Sequence, residues 1–302
     1  MKSSEGFAFV RPGLHLYYRI LGEGGEGVAT LVVPNANWLW EALQPLAERR
    51  RLILYDPRSR GRSSTVTDPR QLSLAEDVAD LEAIRRYFGL DRMSLFGSSY
   101  HAAITALYAL ENLNRVERML LVCPITPRRP GEWIQELPSS EVLIHPPGMP
   151  RLDELRREGI EAEDPVAYCR AWFTRFLMPA QMGEMSSVAH FPVADVCAFP
   201  NEWPQHAIPL YFDHIVPGMG DWDFRPRLGE LRKPVLVMQG TDDLVPVEAS
   251  REWAAALPDA RFLSLEGSGH HPYLERPQEF FPAAEAFLEG GWPEGAEVVA
   301  VK

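Results

Sequence analysis

The stretch Met93-Ser94-Leu95-Phe96-Gly97-Ser98-Ser99-Tyr100-His101-Ala102-Ala103-Ile104 decides how this chain is read. Its first half is a short apolar run closing on Gly97, which predicts a buried strand. From His101 to Leu110, Ala, Ile and Leu recur at helical spacing. A strand that turns sharply into a helix through a glycine lifts the hydroxyl at its apex above the sheet edge. Ser99 occupies that apex and is the candidate nucleophile. The pattern Gly97-Ser98-Ser99-Tyr100-His101 follows G-x-S-x-G except at its end, where His101 replaces glycine. On this stretch alone, a serine capping an ordinary helix after a buried strand is the competing reading.

Working outward, Ala29 to Val33, Arg51 to Tyr55 and Val116 to Val122 read as further buried strands. Trp40 to Ala47 reads as a helix. Ser73-Leu74-Ala75-Glu76 is a capping box that opens a helix to Phe88, with Leu74, Val78, Leu81, Ile84 and Tyr87 facing inward and Gly89 as its stop. Strands and helices thus alternate from residue 29 to 123, which predicts an α/β fold: a mostly parallel sheet with helices on both faces. Two earlier strands, Phe7 to Val10 and Leu14 to Ile20, are joined at Pro12-Gly13 as a hairpin. The glycine-rich loop from Gly22 to Gly27 lacks the lysine and the following helix that a phosphate cradle needs.

From about Pro124 to Arg232 the alternation lapses into a region rich in Pro, Trp, Met and Phe. Helical pieces are expected at Leu152 to Arg157 and Pro165 to Phe176. This region reads as a helical cap whose aromatic residues, Trp133, Trp172 and Trp222 among them, either line a substrate pocket or form the cap's own small core. Strands return at Pro234 to Met238 and Arg261 to Leu265, with helices at Val247 to Ala256 and Pro277 to Leu288. The expected organisation is a core over 1–124, a cap over 125–231, the core resumed over 232–290, and a loosely ordered tail over 291–302.

Composition narrows the function classes. A formal charge of −12 over 302 residues disfavours nucleic acid and anionic membranes as partners. No segment has the apolar length needed to cross a bilayer. The opening MKSSEGFAF lacks a signal-peptide pattern, so a cytoplasmic protein is expected. Cys123, Cys169 and Cys197 are few, odd in number and far apart, and are expected to be buried reduced thiols. The eight histidines show no paired ligand spacing, so no metal is expected.

Ser99, Asp243 and His270 each follow the carboxyl end of an expected buried strand, the edge where an open parallel sheet binds its ligands. The chemistry needs all three. A serine hydroxyl is a poor nucleophile until an imidazole accepts its proton, and a carboxylate fixes the tautomer of that imidazole and stabilises its charged form. The chain order Ser, acid, His is the order expected on such a sheet.

Taken together, Gly97-Ser98-Ser99, Asp56-Pro57-Arg58 with Gly61-Arg62-Ser63, Gly240-Thr241-Asp242-Asp243 with Pro246, and Gly267-Ser268-Gly269-His270 resemble an α/β-hydrolase fold enzyme over about residues 29 to 289. The resemblance implies that Asp243 rather than Asp242 is the acid and His270 rather than His271 the base. It implies a structural role for the Asp56/Arg58 loop. Backbone N–H groups of Tyr100 and of the turn after the third strand would hold the oxyanion, with Ala36 as the second donor and Asn35 or Asn37 as alternatives. Asn35, Asn37, Trp38, Trp172 and Trp222 are the expected substrate contacts.

Two departures from the family pattern stand out. Pro34-Asn35 replaces His-Gly after the third strand, although Asn tolerates a left-handed backbone. His101 replaces glycine and is expected to crowd the packing of helix on strand. The leading reading is a cofactor-free serine hydrolase acting on a small apolar or aromatic ester, with oligomeric state left open. A proline iminopeptidase-like exopeptidase is the alternative, since Pro217 to Phe224 resembles the cap-to-core passage of such peptidases and its acidic residues could read a free amino group. A ligand-binding protein on a hydrolase fold is the third reading.

Overall fold

A computed structural model of the protein describes residues 2–25, 27–129, 154–183 and 196–300, with the side chain of Phe176 excepted. Trp133 and the start of the helix expected at Leu152 lie outside the described residues; 154–157 are helical.

Eight strands form one sheet: β1 (Ser3–Arg11), β2 (Leu14–Leu21), β3 (Leu31–Pro34), β4 (Leu52–Tyr55), β5 (Met93–Ser98), β6 (Val116–Val122), β7 (Val235–Gly240) and β8 (Ala260–Leu265). Their spatial order is β1-β2-β4-β3-β5-β6-β7-β8. β2 runs antiparallel to both β1 and β4, and every other pairing is parallel. The hairpin expected at Pro12-Gly13 is present, with Gly13 at φ 79°.

The central strands alternate their side chains between two cores, as a pleat with period two requires. Val32, Ile53, Leu95, Leu121 and Val237 pack on one face beneath α2 (Leu74–Tyr87) and α3 (Tyr100–Glu111). Val33, Leu54, Phe96, Leu120 and Met238 pack on the other with Phe280 and Phe287, which come from the closing helix Pro277–Leu288. α2 is capped as its sequence implies, the Ser73 hydroxyl accepting the Glu76 N–H at 3.3 Å. Tyr87 departs from the inward stripe: it is exposed and lies 5.8 Å from Tyr18.

Four expectations are corrected. The helix expected over Trp40 to Ala47 is instead a short helix α1 (Ala36–Leu39) directly after β3, then a 3-10 turn over Gln44–Glu48. Pro45 explains the break, because it has no N–H to continue an α-helix and sits at the start of the tighter turn. The helix expected over Pro165 to Phe176 runs on as α4 (Pro165–Trp172), a wide turn over Phe173–Leu177 and a last turn over Met178–Gln181.

The described part of the tail packs on the core. Trp292 packs 5.3 Å from Phe287 under the guanidinium of Arg261, and Glu297 exchanges two 2.9 Å backbone bonds with Phe262 on the outer edge of β8. That docking covers an edge strand whose amides would otherwise be unpaired.

Finally, Cys169 and Cys197 are joined in a disulfide, and only Cys123 is a free, buried thiol among the described cysteines. Sequence spacing could not show this, because folding brings together two cysteines separated by 28 residues. The bridge replaces the reduced thiols expected at these two positions. No described helix is long and apolar enough to cross a membrane.

Candidate active site

The turn from β5 into α3 is built on close contact. A Cβ on Gly97 would lie 2.5 Å from Thr105 Oγ1 and 2.7 Å from Ala102 Cα, so only glycine lets the helix sit this close to the strand. Ser99 adopts φ 53°, ψ −128°, and its side chain makes no cap hydrogen bond. Such a backbone is costly for a residue with a Cβ and is held in place by its surroundings. Here the Ser99 N–H donates to Val122 O at 3.0 Å, and the Ser99 carbonyl accepts from Ala102 and Ile125. The hydroxyl is therefore presented on a strained turn and is not spent on capping.

His101 does not crowd this packing. The helix meets the strand through Ala102 and Thr105, while the buried His101 ring lies beside Tyr100 at 5.6 Å. Burial and the nearby Arg60 charge push its pKa down to about 3, against the pull of a hydrogen bond with the Ser98 backbone. It is a neutral packing residue.

His270 Nδ1–H donates to Asp243 Oδ1 at 2.8 Å, and both side chains are buried. Asp243 Oδ1 also accepts the Val245 N–H at 3.0 Å. Burial disfavours the His270 imidazolium, but the Asp243 charge and hydrogen bond outweigh it, so the pKa is raised above the ordinary histidine value. The neighbours that the sequence left as alternatives are engaged elsewhere. Asp242 is exposed and takes the Thr241 hydroxyl at 3.2 Å, and His271 bonds Tyr273 Oη at 2.7 Å and Gln181 Oε1 at 2.9 Å.

The His270 loop is gripped on three sides. Asp242 N–H donates to Ser268 O, and Gly240 approaches so closely that a Cβ there would lie 2.0 Å from Ser268 O. Glu275 accepts the N–H groups of Gly269, His271 and Gly183 at 2.9, 3.1 and 2.8 Å. From the segment between β6 and β7, Gln181 O accepts the His270 N–H at 2.6 Å. Nothing in the sequence pointed to Gln181 or to Glu275, which lies one residue past the capping-box position counted from His271.

The turn after β3 forms in spite of its missing His-Gly. Asn35 takes the left-handed backbone, φ 80°, ψ 58°, and donates its N–H to Tyr55 O at 2.7 Å. The Asn37 N–H is taken by Asp56 Oδ1 at 2.7 Å, and Asp56 Oδ2 accepts the Arg62 N–H at 3.0 Å. Burial raises the Asp56 pKa to about 7 against those two bonds. The Ala36 and Tyr100 N–H groups have no backbone acceptor among the described residues.

Tyr100 is anchored by its side chain, whose hydroxyl donates to Asp77 Oδ2 at 2.7 Å; Asp77 in turn pairs with Arg60 at 2.8 and 2.9 Å. Arg58 pairs with Asp80 at 2.8 and 2.6 Å. The Asp56–Arg62 loop is thus a buried scaffold between β4 and α2.

The aromatic candidates separate. The Trp38 indole N–H donates to Glu202 Oε2 at 2.8 Å, and its ring lies 5.2 Å from Phe173. Trp172 packs with Tyr168 and Cys169 inside the segment's own small cores. Trp222 donates to Thr126 O at 3.2 Å and lines a cavity of about 690 Å³ with Leu74, Val78, Leu107 and Phe224, on the α2–α3 flank. The acidic residues of the 217–224 passage have arginine partners: Asp221 pairs with Arg129 at the surface, and Asp223 with Arg225 at 2.7 Å. Cys123 Sγ lies within 4.8 Å of ligating atoms of Asp243 and His270, the one such trio among the described residues. Its thiol is fully buried, and burial holds its pKa well above the ordinary value.

Sheet order, strained turn and paired acid and base agree with what comparison finds: residues 29–283 match the alpha/beta hydrolase family. The chain belongs to that family. Among its relatives, the proline iminopeptidase of Lactobacillus helveticus (strain DPC 4571) is 24% identical over 301 residues, covering 92% of this chain and 95% of the relative. The putative carbamate hydrolase RutD of Caulobacter sp. (strain K31) is 26% identical over 274 residues, with 90% of each chain covered. Among solved structures, a proline iminopeptidase of Mycobacterium smegmatis superposes with a TM-score of 0.70 at 20% identity, covering 95% of this alpha/beta hydrolase and 98% of that chain.

Proposed function

We propose that this alpha/beta hydrolase cleaves a carboxylic ester of a small apolar or aromatic substrate through an acyl-enzyme. The observations that carry the reading are the buried Asp243–His270 pair and a strained serine turn whose hydroxyl caps nothing. Ser99 Oγ attacks the carbonyl carbon as His270 Nε2 takes its proton. The carbonyl oxygen becomes an oxyanion held by the N–H groups of Tyr100 and Ala36. Collapse expels the alcohol, which leaves with the proton from His270, and water repeats the sequence to release the acid. Asp243 keeps Nδ1 protonated throughout, so that Nε2 is the basic nitrogen.

Within this reading residues 125–231 act as a cap over the site, and Trp38, two residues beyond Ala36, flanks the substrate. The enzyme works in the cytoplasm, where the Cys169–Cys197 bridge has to withstand the glutathione pool. Alkylation of thiols in intact cells, followed by mass measurement, tests that placement.

An aminopeptidase releasing N-terminal proline is the second reading, and the curated relatives favour it. The 217–224 passage gives it no support, because Asp221 and Asp223 are already paired with arginines. Turnover of p-nitrophenyl acetate and butyrate beside proline p-nitroanilide separates the two. The ester reading predicts faster ester cleavage; preferential cleavage of the anilide would replace it with the peptidase.

A further inference from the structure

One buried carboxylate outside the Asp243–His270 pair is linked to both sides of the proposed oxyanion site. Glu202 lies in the segment between β6 and β7, six per cent exposed, between Asn201 and Trp203. Its Oε2 accepts the Trp38 indole N–H at 2.8 Å, two residues beyond Ala36. Its Oε1 accepts the Gly61 N–H at 2.6 Å. Gly61 follows Arg60, whose guanidinium holds Asp77, and Asp77 accepts the Tyr100 hydroxyl. A single side chain is thereby connected to the turn carrying one oxyanion donor and, through Arg60 and Asp77, to the residue carrying the other.

A buried carboxylate is expensive unless its acceptors are filled, and burial raises the pKa of Glu202 against the bonds from Trp38 and Gly61. Asn201 beside it adds bonds from Nδ2 to Gly61 O at 3.2 Å and Ser63 O at 2.9 Å, so the docking is not a lone contact. The neighbouring charges are Arg60, which favours the carboxylate, and Asp56, whose own pKa Glu202 helps to raise.

We propose that Glu202 is a positioning residue that sets the placement of the Ala36 and Tyr100 N–H groups relative to Ser99, which makes the inserted segment part of the transition-state machinery. This rests on the serine-hydrolase reading above. Misplacing a reacting geometry by about an ångström is enough to cost about 100-fold.

The test uses the full chain and a fluorophosphonate probe, which labels an activated serine without requiring the natural substrate. Ser99→Ala must abolish labelling; if it labels like the wild type, the serine-hydrolase reading itself fails. With that control in place, Glu202→Gln is expected to slow the maximal labelling rate by about 10- to 100-fold while the half-saturating probe concentration stays within about threefold. The glutamine NH2 faces a donor at either Trp38 or Gly61. Adding Trp38→Phe removes one of those donors, and the double variant is expected to recover severalfold of the lost rate.

Wild-type labelling by Glu202→Gln overturns the proposal, as does a loss that Trp38→Phe deepens. If Glu202→Gln does not fold, Trp38→Phe alone decides: a slower maximal rate at unchanged half-saturation supports the proposal, and an unchanged rate overturns it.

Discussion

The Asp56 carboxylate accepts the Asn37 backbone N–H at 2.7 Å, and this bond holds the turn after β3 although the usual His-Gly is replaced by Pro34-Asn35. The same turn depends on Asn35 at φ 80°. Asn35→Gly is expected to keep activity within about threefold, because glycine adopts that backbone freely. Asn35→Val places a β-branched side chain there and is expected to cost about 1–3 kcal/mol in denaturant melts and at least tenfold in activity. Equal behaviour of the two variants would show that the left-handed residue does not matter.

The Asp243–His270 pair makes a prediction about pH. Only neutral His270 can accept the Ser99 proton, and its pKa is raised above the ordinary 6.5. Activity should therefore fall with decreasing pH through a midpoint above 6.5. In Asp243→Asn the larger raising charge is gone and burial is opposed only by Glu275, so the midpoint should move down while kcat/KM falls by about 10³- to 10⁴-fold. Profiles of kcat/KM against pH for both proteins check the sign.

Gly240 sets the approach of the acid strand to the His270 loop. A Cβ would lie 2.0 Å from Ser268 O and 2.3 Å from Gly269 O, both backbone atoms that cannot swing away. Gly240→Ala is expected to destabilise the fold by about 1–3 kcal/mol and to cost activity beyond what unfolding explains, because it displaces His270. Thermal melts and assays well below the melting range separate the two effects.

The Cys169–Cys197 bridge ties α4 to the segment that carries Glu202. In denaturant without reductant, thiol titration should find one reactive thiol, Cys123; with reductant it should find three. Replacing Cys169 and Cys197 together by Ser is expected to cost about 2–4 kcal/mol, the usual range for closing a loop of this size. Three reactive thiols before reduction would mean the bridge does not form in solution.

The sheet and its helices were legible because they rest on local pattern: apolar runs for the strands at Ala29 to Val33 and Met93, and a capping box at Ser73. Asp243 and His270 were legible because each follows a strand end with a glycine beside it. The helix after β3 was misplaced because Pro45 breaks the stretch from Trp40 to Ala47. Glu202, Gln181 and Asp77 were not legible at all, because their roles come from contacts between residues far apart in the chain or from burial that no spacing announces. The disulfide was missed for the same reason.

The most direct measurement is the rate of ester hydrolysis and fluorophosphonate labelling in wild type and Ser99→Ala, prepared side by side. The account predicts that Ser99→Ala folds with a similar melting temperature, loses at least about 10³-fold of the ester turnover and takes up no label. Turnover and labelling that persist in Ser99→Ala would contradict it.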